Sequence, residues 1–184
     1  MHVVLTVPSL DRTAGGTSAA VASLARHLAK RNCEVTVVSF ASENPLLKEP
    51  ALDGEALSVT LVEHGTSPWA LWTSVSRFEK ALRTAVRGHD DSVIHDNGIW
   101  LPVNHRVSSV ARSLEIPRVV NPHGMLEPWS LDQSTWKKKA AWWLYQKRDL
   151  QTADVVAATA EQEEKNIRAL GIDRPIANIP NGVD

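Results

Sequence analysis

The chain has 184 residues, 43% of them hydrophobic and 22% charged, with a formal net charge of −1. That profile is ordinary for a soluble globular protein and long enough for one domain of roughly 100–200 residues; nothing in the overall charge points to nucleic acid. Cys33 is the single cysteine, so no internal disulfide forms, which fits a reducing compartment and a cytoplasmic location. The opening MHVVLTVPSL has neither the charged n-region nor the length of a signal peptide, and no segment approaches the ~20 apolar residues of a membrane span.

Short apolar, β-branched runs predict strands at Val3–Val7, Val35–Phe40, Val59–Val62, Ser92–His95, Arg118–Val120, Val155–Ala157 and Ile176–Ile179. Most lack polar alternation, as strands covered on both faces do in a parallel sheet. Helical spacing fills the gaps. Residues 17–31 put Val21, Leu24, Ala25 and Leu28 on one stripe, and residues 73–87 do the same with Val75, Phe78, Leu82 and Val86. Pro102 opens a helix over 102–114, where its missing N–H costs least, and Gly171 closes one over 160–170. Residues 41–57, with two prolines, a glycine and several acids, read as a loop. The β-α alternation predicts an α/β fold: a Rossmann-like, doubly wound, mainly parallel sheet with helices on both faces and right-handed crossovers, spanning 1–184 as one domain. Hairpin signals are scarce, which argues against an antiparallel α+β domain.

Ligands of such sheets meet the carboxyl ends of the strands, which directs attention to three loops. After the first strand, Gly15 and Gly16 stand immediately before a helix. Glycine lets a backbone approach a ligand, and a helix N-terminus offers free N–H groups to an anion such as a diphosphate. The pair is neither GxGxxG nor GxxxxGK[ST], so a tight glycine turn remains an equal reading. After the fourth strand, IHDNGIWLP gathers His95, Asp96, Asn97 and Trp100, which also read as a capping turn. After the fifth, VVNPHGMLEPWSL sets His123 between Pro122 and Gly124, with Glu127 and Trp129 close behind.

In order and spacing, four stretches together resemble the N-terminal domain of the family 4 retaining glycosyltransferases, which have the GT-B fold. These are AGGTSAAVASLARHLAKR, IHDNGIWLP, NPHGMLEPWSL, and ADVVAATAEQEEKNIRALG followed by IPNGVD. The resemblance implies transfer of a sugar from a nucleotide-diphosphate donor to the hydroxyl of a saccharide acceptor, with no cofactor and no metal. It implies a donor diphosphate and sugar against Gly15 and Gly16, and His123 as the catalytic residue beside the donor sugar. It implies acceptor-side roles for His95, Asp96, Asn97, Trp100 and Glu127. It further implies that residues 179–184 begin a hinge to a C-terminal, donor-binding domain, so that the chain alone has negligible transferase activity. A non-catalytic saccharide or lipid-headgroup module is the alternative. A nucleotide-handling dehydratase is disfavoured by the missing GxGxxG.

Residues 134–148, STWKKKAAWWLYQKR, carry five Lys or Arg, no acid and three Trp. As a helix they place Trp136, Ala140, Trp143 and Leu144 on one face. Two readings follow: Trp136 and Trp143 are core beneath a solvated basic face, or the helix lies on an anionic membrane surface at the inner face of the plasma membrane.

Overall fold

The structure, a computed structural model, describes residues 1–48, 56–64, 69–133, 135–180 and 182. Residues 49–55 of the expected loop, Ser134 of the basic segment, and 181, 183 and 184 of the expected hinge lie outside the described residues. The chain forms two compact units, Met1–His95 and Asp96–Asp184.

The first unit contains β1 (His2–Ser9), α1 (Gly16–Lys30), β2 (Glu34–Phe40), β3 (Leu57–Val62), α2 (Ala70–Ala85) and the first residues of β4 (Ser92–Asn97). Its strands lie in the order β3-β2-β1-β4. The chain winds outward from β1 to β3 and then returns to the other side of β1, so the loop after β1 leaves the sheet where the winding reverses. β1 is buried continuously from His2 to Val7 because both faces are covered, as the unbroken apolar run predicted. Its one bulky polar residue is satisfied on both sides: His2 Nδ1 meets Ser92 Oγ and Nε2 meets Thr36 Oγ1, each at 2.9 Å. α1 buries Val21, Ala22, Ala25 and Ala29, with Leu24 and Leu28 half-buried on the same core. Small residues at the contact let the helix lie close to β1 and β2. α2 buries Val75, Phe78 and Leu82 at the predicted spacing. Leu57, expected in a loop, begins β3 opposite Val35.

The second unit takes the last two residues of β4 and adds α3 (Pro102–Ser113), β5 (Arg118–Asn121), α4 (Pro128–Asp132) and α5 (Thr135–Ala141). A π-helical turn (Trp142–Gln146), α6 (Lys147–Gln151), β6 (Val155–Ala158), α7 (Glu161–Ala169) and β7 (Ile176–Asn178) complete it. β5 pairs with β6 and β6 with β7, both in parallel. The registered pairs of the first unit are parallel too, so the fold is the predicted Rossmann-like α/β class and not an antiparallel α+β domain. Val120, Leu126, Leu150, Val156, Ile167 and Ile172 form the apolar centre of this unit. Gly171, at φ 74°, closes α7 with its N–H on the Arg168 carbonyl, the left-handed terminus the sequence predicted.

Sequence reading ended the fourth strand at His95. The strand runs on through Asp96 and Asn97 because Asp96 has a partner inside. Arg118, 3% exposed, donates Nη1–H to Asp96 Oδ2 at 3.2 Å and Nη2–H to the Asp149 carbonyl. Asn104 Nδ2 donates to Asp96 Oδ1 at 3.1 Å. Asp149, also buried, takes His105 Nδ1 at 2.8 Å and Arg112 Nη1 at 3.3 Å. Removing one member of a buried pair leaves an uncompensated charge, so Arg118→Leu is expected to cost about 3–5 kcal/mol of stability. Urea denaturation of the variant checks this, and a loss below about 1 kcal/mol, the range of an exposed ion pair, would contradict it.

Candidate functional site

In the first unit the loop between β1 and α1 is built around Asp11. Its Oδ1 accepts the Thr13 N–H at 2.9 Å and the Thr13 hydroxyl at 2.7 Å, and its Oδ2 accepts the Asn44 N–H at 3.1 Å. These donors hold the Asp11 carboxyl down at about 2, well below the usual carboxylate range. Ser18 Oγ–H closes back on the Ser9 carbonyl at 2.7 Å. The chain then enters α1 through Gly15, at φ 93° and ψ −166°, with no side-chain cap and no acid in the first turn. That backbone region is essentially restricted to glycine. A Cβ built on Gly15 or Gly16 meets nothing within 4 Å, so there is open space beside both glycines at the start of α1. His95 lies half-buried on β4 in this unit.

The other predicted residues belong to the second unit, where β4 and β5 end in one polar shelf. His123 is half-buried at φ 50°, a left-handed conformation that costs a non-glycine residue roughly 1–2 kcal/mol. Its N–H donates to Asn121 Oδ1 at 3.1 Å, and its Nε2 lies 3.0 Å from Asn97 Oδ1. With the amide oxygen as acceptor, Nε2 carries the proton and Nδ1 of the neutral ring keeps a lone pair. Among the described residues none takes Nδ1. Burial lowers the His123 pKa from 6.5, opposed by the charge of Glu163.

The shelf brings Asn97 and His123 together, turns the Glu127 carboxylate to Asn166 and commits Asp96 elsewhere. Asp96 is turned into the Arg118 pair. Trp100, at φ 77°, is bonded at every polar atom. Its N–H donates to Gln146 Oε1 at 2.7 Å, its indole N–H to the Met125 carbonyl at 3.3 Å, and its carbonyl accepts the Tyr145 hydroxyl at 2.6 Å. The π-helical turn aims Tyr145 and Gln146 at it. Glu127 Oε2 accepts Asn166 Nδ2 at 2.7 Å.

Sequence reasoning passed over Asn121, Glu163 and Asn166, which hold this turn. Thr159 ahead of an acidic first turn is the pattern of a helix start, but nothing in it points 39 residues back to Gly124. The core reading of the basic segment is overturned: Trp136 is 73% exposed and Trp143 81%, while Trp142 turns inward against Trp100. Trp136, Ala140, Trp143 and Leu144 are all exposed, so the predicted face is present but turned to solvent. Among the described residues no helix is long and apolar enough to cross a membrane.

Residues 15–182 match the family model of a glycosyl transferase 4-like domain. Among solved structures, the chain superposes on Anabaena HepE in complex with UDP-glucose with a TM-score of 0.66 at 15% identity, covering 100% of this chain and 44% of that one. It superposes on the Arabidopsis thaliana starch synthase IV catalytic domain, bound to ADP and acarbose, with a TM-score of 0.60 at 13% identity, covering 100% and 52%. A Thermosynechococcus elongatus sucrose-phosphate synthase structure gives 0.60 at 17%, covering 100% and 91%. A search of curated proteins finds no match.

Neutral His123 is better accommodated in the folded chain than its imidazolium. Its contribution to stability is therefore complete above the unfolded value of about 6.5 and is lost as pH falls through the lower folded value. An NMR titration of the ring is expected to give a midpoint below 6.5; a midpoint at about 6.5 would mean that the ring is open to water, and one above it that the ring faces a stronger anion.

Proposed function

We propose that this chain, which belongs to the glycosyl transferase 4-like family, supplies the acceptor-side half of a retaining hexosyltransferase. The reaction breaks the bond between the anomeric carbon and a nucleotide diphosphate and forms one to an acceptor hydroxyl, which gives up its proton. The acceptor in this reading is a glycan or lipid-linked saccharide, in polysaccharide assembly. The observation that carries the reading is His123: a neutral imidazole fixed by Asn97 at the end of β5, with Nδ1 left to accept the O–H of a sugar. The open space beside Gly15 and Gly16 at the start of α1 suits the departing diphosphate, whose growing charge the N–H groups of a helix N-terminus stabilise. No metal or cofactor enters this reading. The chain spans 44% of HepE and 52% of the starch synthase domain, so the nucleotide pocket is assigned to a second domain reached through residues 179–184. Residues 1–184 alone are then expected to transfer no sugar.

In the protein carrying both domains, His123→Ala is expected to lower kcat by 10²-fold or more with the fold intact, in the range of lost electrostatic donors, ~10²–10³. An unchanged rate across a panel of nucleotide sugars would make His123 a turn residue. Saccharide binding without transfer by any pairing would leave a binding module.

The basic segment favours an anionic lipid surface as a second partner, with the protein peripheral at the cytoplasmic face. Trp129, Trp136, Trp143 and Leu144 stand in solvent, interleaved with Lys137, Lys139 and Arg148. Lys137 Nζ lies 5.6 Å from the Trp136 ring centre. Indole rings settle at the headgroup level and lysines pair with phosphates. A second copy of this chain would set cation against cation. Vesicles containing anionic phosphatidylglycerol are expected to sediment the protein at low salt and release it at high salt, with Trp136→Ala and Trp143→Ala weakening capture. Equal binding to neutral phosphatidylcholine, or none to either, would remove this partner.

A further inference from the structure

Glu163 is 2% exposed and sits in the first turn of α7. Its Oε2 accepts the Thr159 N–H at 2.7 Å and the Thr159 hydroxyl at 2.8 Å. Those two bonds finish the helix start, a task that glutamine performs as well as glutamate. Its Oε1 does something else: it accepts the Gly124 N–H at 2.6 Å, across 39 residues of sequence. One turn along the same helix, Asn166 takes Glu127 at 2.7 Å. Residues three apart share a helix face, so α7 grips both ends of the turn that carries His123. Within that turn His123 and Gly124 are both left-handed, at φ 50° and φ 75°, and such a pair persists only where its surroundings over-determine it.

We propose that Glu163 is the positioning residue of the His123 turn, its carboxylate fixing the Gly124 amide and thereby the direction of the His123 ring. The functional weight of this assignment rests on the transferase reading of His123; the physical assignment does not. All three contacts to Glu163 are donated to it, the pattern of an ionised carboxylate. Its charge is the one that acts on His123, favouring the protonated ring against burial. The other carboxylate of the turn, Glu127, is bonded to Asn166. The ring's own partner, Asn97, is neutral.

The test uses the 184-residue chain and two NMR readouts: hydrogen exchange at the Gly124 amide and the titration of the His123 ring. In Glu163→Gln, exchange at Gly124 is expected to rise roughly tenfold or more, as for a lost charge-assisted hydrogen bond, and the His123 midpoint to fall. A structural cap alone would not move the midpoint. Glu163→Asp, which keeps the charge and shortens the reach, is expected to speed exchange while holding the midpoint nearer the parent. A folded Glu163→Gln chain with both readouts unchanged overturns the proposal. If that variant fails to fold, Thr159→Val removes one donor to the same carboxylate and is expected to move both readouts in measurable steps; no movement there overturns it equally. Should both readouts respond while His123→Ala leaves transfer intact in the two-domain protein, the positioning stands and the transferase role of His123 falls.

Discussion

Burying a guanidinium is expensive unless each of its donors is met, and the second unit is arranged around meeting those of Arg118. The side chain draws Asp96 in from the end of β4 and reaches the Asp149 carbonyl of α6, while its own N–H is held by Asp154 Oδ2 at 2.8 Å. Asp149 passes the constraint on to α3 through His105 and Arg112. One cation thus fixes the relative register of β4, β5, α3 and α6, where apolar contacts alone would tolerate small slides.

That registration is what gives the polar shelf its precision. Asn97 follows directly on Asp96 along β4, and the Gly98 N–H bonds the Asn121 carbonyl at 2.9 Å. Once Asp96 is pinned, the place of the Asn97 amide is set, and with it the height at which the His123 ring hangs. α6 is continuous with the π-helical turn that presents Gln146 and Tyr145 to Trp100. The shelf is therefore approached from two sides by elements that share the Arg118 network.

The alternation of strands and helices was legible because most of the strands carry a short, apolar, β-branched run, and because Pro102 and Gly171 mark helix ends by their backbone chemistry alone. The Gly15-Gly16 turn and His123 were legible as oddities at strand ends. What escaped notice is long-range or conformational. A buried carboxylate such as Glu163 looks like any surface acid until its distant donor is known. Asp96 beside Asn97 reads as a polar loop, because nothing local says that Arg118 waits inside. The positive φ of Trp100 and the π-helical turn after Ala141 leave no compositional trace.

The loop held by Asp11 carries a consequence of a different kind. Its backbone is already confined by three hydrogen bonds to one carboxylate and by the Ser18 tie. If a guest is held beside Gly15 and Gly16, as proposed, it would quench little disorder there. Selectivity would then come from fit, because a loop so confined leaves a molecule of the wrong shape no slack to exploit.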